Sequence, residues 1–500
     1  MEAIKQDILK TLKDPLLTYE MKVNTLAKHA ENSIEVLPQS ELLKTYRDAG
    51  IICDLFEGNA PYRPRYIVPN YKKFLEEGSS FLNLPPAKTF DDALMHLMIL
   101  YRHVPSITTF PVYIGQLDTL LEPFLQMEDD LERAYKCVVR FLKYVDRTIT
   151  DSFCHANIGP MDTKMGRLLL KAERELQDAI PNITLKYSEE TSDDFAIDAI
   201  ETSMITAKPS FANHSLFSKE LGEDYAIASC YNGLPIGGGA YTLVRLVMAR
   251  LAEKAKDYEH FLKVLLPEVV TEMLTYIDNR INFISDDAGF FEHNFLVKEG
   301  FLEKDRFTAM FGMVGLAEAV NHFQAPGVRF GQDDAADKMG IEIMNQLETL
   351  VKAHVHPLLW DTGHCLLHAQ VGIDSDIGIS PGVRIPIGEE PDIYKHLQHS
   401  EKFHGYFPSG VGDIFTFDQT VKQNPAYVLD LIKGAFKHNM RYMSFYGEDA
   451  DVIRITGYLV KKSEIEKLSR GEQVLRDTVV LGKGAVDNGR VLERKVREKE

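Results

Sequence analysis

The sequence predicts an α/β fold in which parallel strands alternate with helices. About the first 150 residues have a mostly helical pattern, and short β-prone runs alternate with helical stretches after about residue 200. Strands that alternate with helices in this way are typical of parallel βα units. Residues 361–415 are rich in Gly, Pro, Asp and His. We expect loops around a functional site there, because loops carry a large share of functional residues.

The predicted helices have apolar residues at helical spacing. The clearest covers Phe90–Tyr101, and Thr89 before it is a suitable N-cap. A further helix is expected to begin near Tyr241, after the glycines that precede it. The remaining predicted helices are 168–176, 243–251, 261–274 and 341–351, and the predicted strands are 203–207, 225–229, 366–373, 384–387 and 452–460.

Composition excludes several classes of protein. The 500 residues are 45% hydrophobic and 26% charged, which is the balance of an ordinary globular protein. A net charge of -18 argues against a nucleic-acid-binding protein, because phosphate binding needs clustered Lys and Arg. The sequence contains no run of about 20 apolar residues, so it predicts no membrane span. The N-terminus lacks the apolar core of a signal peptide, so we expect a cytoplasmic location, and the charged tail after about residue 470 is expected at the surface.

The five cysteines are scattered and never spaced as Cys-x-x-Cys. This pattern indicates neither a disulfide framework nor a thiolate zinc site. Four histidines between residues 354 and 368 also match no known ligand spacing, so no metal is expected. The cysteines are Cys53 and Cys137 in helix-like stretches, and Cys154, Cys230 and Cys365 elsewhere.

The strongest motif, Arg454-Ile455-Thr456-Gly457-Tyr458, lies near the C-terminus. It resembles the Arg-Val-x-Gly-Tyr signature of glycyl radical enzymes. A Cα radical is stabilised when it is planar and delocalised into the flanking amides, and glycine has no Cβ to clash in that geometry. The resemblance implies a stored radical at Gly457. A bulge or kink in a strand is the alternative explanation of the glycine.

The second motif surrounds Cys230, where a β-prone run ends and a turn rich in Gly and Pro follows. Such a turn can present a cysteine into the centre of a fold. The family resemblance implies that Cys230 passes the radical to the substrate as a thiyl radical. Alternatives are a small buried cysteine or, for 237–239, a phosphate-binding turn, although no Gly-Lys-Ser/Thr follows.

Further segments extend the resemblance: 208–214, 292–294 and 311–320. From about residue 60 to 470 the chain looks most like the short YjjI-type glycyl radical enzymes. This likeness implies a ten-stranded barrel of two five-stranded parallel half-sheets surrounded by helices, with a C-terminal glycyl radical loop. It also implies a barrel domain over 1–440 that includes a helical N-terminal part, and a radical domain with tail over 441–500. It implies a small-molecule substrate and a separate radical S-adenosylmethionine activase, and it leaves a homodimer open.

Departures from related enzymes leave the reaction open. Many dehydratases of the superfamily carry Cys-x-Glu with the glutamate as a base, and Asn232 stands at that position here. Tyr231 replaces the second cysteine of the formate acetyltransferase type, and the paired Cys-x-x-Cys of anaerobic ribonucleotide reductases is missing. The alternatives are ribonucleotide reduction, a radical-domain repair protein and a non-radical α/β protein. Candidate pocket residues are Asn232, His214, Glu292, His293, Arg384 and His404.

Overall fold

The computed structural model describes residues 2–31, 33, 35–53, 63–106, 111–149, 153–370, 376–476 and 478–499. Its strands are β1 Ile52–Cys53, β2 Tyr66–Val68, β3 Tyr113–Gln116, β4 His155–Ile158, β5 Asn182–Tyr187, β6 Ser210–Asn213, β7 Tyr225–Ala228, β8 Asn232–Pro235, β9 Gly238–Val247, β10 Phe307–Val314, β11 Leu366–Ala369, β12 Asp413–Phe417, β13 Tyr442–Gly447, β14 Val452–Arg454, β15 Leu459–Lys461 and β16 Val496–Arg497.

Helices surround these strands along the whole chain. They are α1 Glu2–Lys13, α2 Tyr19–Glu31, α3 Glu41–Asp48, α4 Tyr71–Glu77, α5 Phe90–Tyr101, α6 Leu117–Leu125, α7 Leu131–Thr148, α8 Lys164–Leu176, α9 Asp193–Thr206, α10 His214–Leu221, α11 Met248–Ala252, α12 Tyr258–His260, α13 Leu266–Asn282, α14 Phe290–His293, α15 Phe295–Lys298, α16 Leu316–Phe323, α17 Asp334–Lys352, α18 Ile393–His404, α19 Gln419–Lys422, α20 Pro425–Lys437, α21 Lys462–Ser469 and α22 Thr478–Gly489. No helix within these described ranges is long and apolar enough to cross a membrane.

One sheet has seven strands in the order β16-β12-β13-β6-β5-β4-β3. Strands β3 to β6 run parallel, and each is followed by a helix, as parallel pairing requires. Strand β13 runs antiparallel to β6 and parallel to β12. Strands β13 and β16 therefore join residues after 440 to this sheet. The predicted domain boundary at residue 440 stays a prediction.

The other main sheet has five strands, with β9, β10 and β11 parallel. Short strands β1 and β2 pair antiparallel with β9, so this sheet is mixed. A single parallel bridge between His368 and Gly410 links β11 to the segment that enters β12. The predicted α/β class with parallel strands is confirmed. The strand pairing does not divide into two separate five-stranded sheets, and closure into a barrel stays a prediction.

Several predicted helices are confirmed. Thr89 caps α5 through a capping box with Asp92, and 168–176 and 341–351 lie inside α8 and α17. The helix over 261–274 begins as a π-helix, Phe261–Leu265, and continues into α13.

Other secondary-structure predictions are wrong. Residues 243–247 and Tyr241 belong to β9, because a short apolar run that is buried on both faces has no periodicity that separates strand from helix. Residues 203–206 form the last turn of α9, 384–387 lack regular structure, and Cys53 lies in β1. Strand β11 ends at Ala369, and residues 371–373 of the predicted strand lie outside the described residues.

A buried ion pair stabilises the helical layer behind the seven-stranded sheet. Lys208 Nζ lies 2.7 Å from Glu173 Oε2, and their side chains are 0% and 1% exposed. The same ammonium donates to the Pro181 carbonyl at 2.7 Å. Burial raises the pKa of Glu173 to about 7, although the Lys208 charge opposes this. The carboxylate therefore depends on Lys208 to stay ionised at neutral pH.

We expect Lys208→Met to lower the free energy of unfolding by about 3–5 kcal/mol, because it leaves a carboxylate buried without its partner. Urea denaturation followed by circular dichroism measures the change. Lys44→Met is the matched control, since it removes an exposed partner from Glu41 and should leave stability unchanged. Equal effects of the two substitutions would contradict the role given to Lys208.

Candidate functional site

Cys230 lies at the turn between β7 and β8 and is buried. The preceding Ser229 has φ of 64°, in the left-handed region that non-glycine residues seldom adopt. Asn157 on β4 anchors the hairpin: its amide donates to the Ile227 carbonyl at 2.9 Å and accepts from the Ile227 N–H at 2.8 Å. The hairpin is thus fixed to the sheet, and its turn carries the cysteine.

The turn also lies against the segment before β12. The Gly233 N–H donates to the Ser409 carbonyl at 2.7 Å. Gly410 has positive φ, and a Cβ there would collide with the Tyr231 carbonyl. Only glycine permits this close approach without strain. Likewise, a Cβ at Gly239 would meet the backbone of Tyr66, so close strand packing explains this glycine without a phosphate.

The Cys230 thiol donates a hydrogen bond to Asn232 Oδ1 at 3.0 Å. The Cys230 carbonyl accepts from the Tyr442 hydroxyl at 2.8 Å. Burial raises the pKa of the thiol, and the charges of Arg384 and Arg454 oppose this shift only partly. The side chain therefore keeps its S–H hydrogen at neutral pH, which suits hydrogen-atom transfer better than attack by a thiolate.

Gly457 lies in the turn between β14 and β15, and residues 455–458 are all buried. The Gly457 carbonyl accepts from Asn182 Nδ2 at 3.3 Å. Arg454 Nη2 donates to Asn182 Oδ1 at 2.9 Å and to the Ala207 carbonyl at 3.0 Å. Asn182 on β5 is therefore bonded to the glycine itself and to the arginine that begins the motif.

A residue of the C-terminal segment holds the other side of this turn. Arg494 donates to the Arg454 carbonyl at 3.2 Å and to the Ile455 carbonyl at 3.1 Å. It also donates to the Tyr446 hydroxyl at 3.0 Å. Arg494 is buried, so the expectation that the tail after 470 lies at the surface is wrong here. At Arg494 the tail therefore packs inward, where this side chain binds two backbone carbonyls of the turn.

The Gly457 turn and the Cys230 hairpin contact the same face of the seven-stranded sheet. Asn182, which binds the Gly457 turn, is the register partner of His155 on β4. His155 Nδ1 donates to the carbonyl of the residue before Cys230, at 2.5 Å. Thr184, two residues after Asn182 and on the same face, lies 2.7 Å from His155 Nε2. Neighbouring side chains of two adjacent strands thus reach both segments.

A small cavity of about 30 Å³ lies beside the Gly457 turn. This is room for about one water molecule. The buried Thr456 Oγ1 and His396 Nε2 have no hydrogen-bond partner among the described residues. The cavity lining includes Arg384, His396, Asp413, Ile455, Thr456 and Arg494. It reaches the Gly457 turn but is not lined by Cys230.

Asp413 is the centre of a buried polar cluster that contains two of the predicted pocket residues. His404 Nε2 lies 3.2 Å from Asp413 Oδ2, and Arg384 Nε lies 4.0 Å from Oδ1. Ser400 donates to the same carboxylate at 2.5 Å. Burial alone would raise the pKa of Asp413, but its contacts with His396 and His404 hold it well below its usual range. Arg384 also lies over the Tyr231 ring, at 5.7 Å from its centre, which links the cluster to the hairpin.

The other predicted pocket residues lie elsewhere. His214 is half-buried at the base of the hairpin, with Nδ1 2.8 Å from the Tyr225 hydroxyl. Glu292 and His293 are exposed on α14 and do not share the buried surroundings of Cys230. Their assignment to a pocket rests on the sequence alone.

The four clustered histidines contact four different groups. His354 pairs with Asp278, and His356 contacts Asn282. His364 contacts the His354 carbonyl. His368 is buried against Tyr231.

Sequence inspection missed the residues that link the two segments. These are His155, Asn182, Thr184, Tyr442 and Arg494. A signal was present in the first three, because polar side chains alternate with apolar ones in the buried strands HANI and NITLKY. Alternation of period two places such polar residues on one face of a sheet. No comparable pattern marks Tyr442 or Arg494.

Comparison with known proteins gives one family match and several structural matches. The family described as "Glycyl radical enzyme YjjI-like" matches residues 17–497. An uncharacterized protein of Haemophilus influenzae is 46% identical over 511 residues, covering 100% of this chain and 98% of that protein.

Two solved structures share the fold. Hydroxyproline dehydratase from Clostridioides difficile, with trans-4-hydroxy-L-proline bound, has a TM-score of 0.71 at 11% identity and covers 99% of this chain and 88% of that one. The anaerobic ribonucleotide reductase from Thermotoga maritima, with dATP in the specificity site, has a TM-score of 0.70 at 12% identity and covers 92% and 94%. At such low identity these matches concern the fold alone.

The family match spans nearly the whole chain, and the Haemophilus relative aligns over 98% of its length at 46% identity. The resemblance seen in the sequence is thereby confirmed, and this chain belongs to the YjjI-like family of glycyl radical enzymes.

Proposed function

We propose that the protein stores a radical on Gly457, transfers it to Cys230 and uses the resulting thiyl radical to take a hydrogen atom from a small substrate. The observation that carries this proposal is that the Gly457 turn and the Cys230 hairpin are hydrogen-bonded to neighbouring side chains, Asn182 and His155, on one sheet face. Family membership supports an enzyme of this chemistry.

The proposed transfers conserve atoms and electrons. The Gly457 Cα radical takes the hydrogen atom of the Cys230 S–H bond, which forms a C–H bond and leaves a thiyl radical. The thiyl radical then takes a hydrogen atom from a substrate C–H bond and becomes a thiol again. Burial of Cys230 keeps its hydrogen available, and burial of residues 455–458 protects the stored radical from water and oxygen.

A separate activase is expected to create the radical. The five cysteines do not supply the clustered thiolates that an iron–sulfur cluster needs. We therefore propose that a radical S-adenosylmethionine enzyme removes the hydrogen atom from Gly457.

The retained Cys230 hairpin argues against a spare radical domain that only repairs a partner, because such a protein needs the glycine turn alone. Ribonucleotide reduction has the support of a shared fold but lacks the paired cysteines.

The first prediction concerns the location of the radical. After anaerobic treatment with the activase, the wild-type protein should give a glycyl electron paramagnetic resonance signal. On exposure to air it should be cleaved to release a C-terminal fragment that begins near Gly457, as mass spectrometry would detect. Gly457→Ala should show neither signal nor cleavage, because a Cβ hinders the planar radical. An intact chain after aeration of protein with a measured radical would argue against Gly457.

The second prediction separates storage from chemistry. Cys230→Ala should form the glycyl radical at the wild-type yield but lose exchange of the Gly457 Cα hydrogen with solvent deuterium, because an alanine C–H bond is too strong to relay hydrogen. Mass spectrometry of the C-terminal peptide measures the exchange. The control is Cys137→Ala, which changes a partly exposed cysteine on α7 and should keep it. Undiminished exchange in Cys230→Ala would assign the relay to another residue.

The third prediction concerns Arg494, which binds two carbonyls of the Gly457 turn. Arg494→Ala should loosen the turn, so that the radical decays several-fold faster under trace oxygen. Spectra recorded at intervals after a fixed oxygen dose give the rate. Arg490→Ala is the control, because Arg490 is exposed and pairs with Glu493. A radical lifetime equal to that of the wild type would show that Arg494 does not protect the turn.

A further inference from the structure

The two peptide carbonyls on either side of the Cys230 Cα are both held by side chains of the seven-stranded sheet. His155 Nδ1, on β4, lies 2.5 Å from the Ser229 carbonyl. The Tyr442 hydroxyl, on β13, donates to the Cys230 carbonyl at 2.8 Å. Both side chains are buried, and because a carbonyl only accepts, each of them supplies the hydrogen of its bond. The backbone on both sides of the cysteine is therefore held from two separate strands.

Thr184 on β5 lies between these two side chains. Its Oγ1 lies 2.7 Å from the Tyr442 hydroxyl oxygen and 2.7 Å from His155 Nε2. Burial lowers the pKa of His155 to about 3, with the Ser229 carbonyl opposing this shift and the Arg454 charge adding to it. The imidazole is therefore neutral at neutral pH. Because its Nδ1 carries the hydrogen, its Nε2 accepts from Thr184.

The Tyr442 side chain spans β6 to reach Thr184 on β5. The strand order is β13-β6-β5, and the register partner of Tyr442 on β6 is the small residue Ala212. Ser210, also on β6, is the register partner of Thr184, and its hydroxyl lies beside that of Tyr442 as well. Two sheet hydroxyls thus surround the phenol oxygen and hold it where it meets the Cys230 carbonyl.

This contact lies in the region where the hairpin approaches the Gly457 turn. Burial raises the pKa of the Tyr442 hydroxyl and of the Cys230 thiol, and the Arg454 charge opposes both shifts. Arg454 therefore lies near both groups. Through Asn182 the same arginine is linked to the Gly457 carbonyl. Tyr442 thus holds the cysteine on a part of the sheet that also holds the radical-bearing turn.

We propose that Tyr442 is a positioning residue for the hydrogen transfer between Gly457 and Cys230. Together with His155 it fixes the peptide planes on both sides of the cysteine, and hence the direction of the thiol. Hydrogen transfer needs close and aligned atoms, and a misplacement of about 1 Å can cost about 100-fold in rate. The Tyr442 hydroxyl donates to a carbonyl and not to the thiol, so it acts through position and not as a relay. This inference rests on the proposed radical function.

The test variant is Tyr442→Phe, which removes the hydroxyl and keeps the ring that lies 5.7 Å from that of Tyr231. It should form the glycyl radical at the wild-type yield, as electron paramagnetic resonance measures. Exchange of the Gly457 Cα hydrogen with solvent deuterium, measured by mass spectrometry and counted per radical, should slow at least tenfold. Counting per radical leaves out any protein that fails to fold.

Tyr101→Phe is the matched control. The Tyr101 hydroxyl, on α5, is also buried and donates to a backbone carbonyl, that of Ile114, at 2.7 Å. Each variant loses one buried hydrogen bond, so both should lower the unfolding temperature by similar amounts. Only Tyr442→Phe should slow the exchange. Slowing of the same size in Tyr101→Phe would indicate a general loosening of the protein and overturn the proposal.

A measurement before activation checks the contact itself. When cysteine is labelled with carbon-13 at its carbonyl, subtracting the infrared spectrum of labelled Cys230→Ala protein isolates the band of the Cys230 carbonyl. Loss of the hydrogen bond in Tyr442→Phe should move this band to higher frequency. An unmoved band would show that the hydroxyl does not hold the carbonyl, and the proposal would be wrong.

Two further results would overturn the role given to Tyr442: unchanged exchange per radical in Tyr442→Phe, or loss of the radical itself, which would place the tyrosine in storage and not in transfer. Wild-type protein that forms no radical, or whose exchange does not depend on Cys230, would instead contradict the proposed function and this role with it.

Discussion

The arrangement of the site depends on the hydrogen bonds made by the side-chain amide of Asn182. This amide donates to the Gly457 carbonyl and accepts from Arg454, and Asn182 lies in register with His155, which binds the hairpin of Cys230. The two motifs lie far apart in the sequence. Because adjacent parallel strands fix the spacing of their side chains, the face of the seven-stranded sheet sets the relative position of the glycine turn and the thiol.

Buried arginine side chains hold the glycine turn by donating hydrogen bonds to backbone carbonyl oxygens. Burial lowers the pKa of Arg454, but an arginine side chain remains charged in proteins. Arg454 and Arg494 both donate to backbone carbonyls of this region, and hydrogen bonds from ionised groups are about twice as strong as neutral ones. Opening the turn would leave cations and carbonyls unpaired in a dry environment. A flexible glycine is thereby kept in a fixed position.

The sequence was sufficient to predict the family and the α/β class. It could not predict that the run around Tyr241 forms β9, since this run is buried on both faces and therefore lacks the periodicity that separates a strand from a helix. Contacts such as Tyr442 with Cys230 depend on the antiparallel pairing of β13 with β6, which no local pattern encodes. Glu292 and His293 were proposed from residue type alone, and their exposure leaves their assignment to a pocket a prediction.

The C-terminal segment connects the glycine turn to the Asp413 cluster. Strand β16 pairs with β12, whose first residue is Asp413, and Arg494 binds the turn just before β16 begins. Within β16, Arg497 lies 3.1 Å from His396 Nδ1, and His396 Nε2 lies 3.7 Å from the Asp413 carboxylate. One short strand therefore positions a residue on the turn and another on the buried cluster. Because both contacts depend on the same strand pairing, a displacement of this strand would disturb the turn and the cluster together.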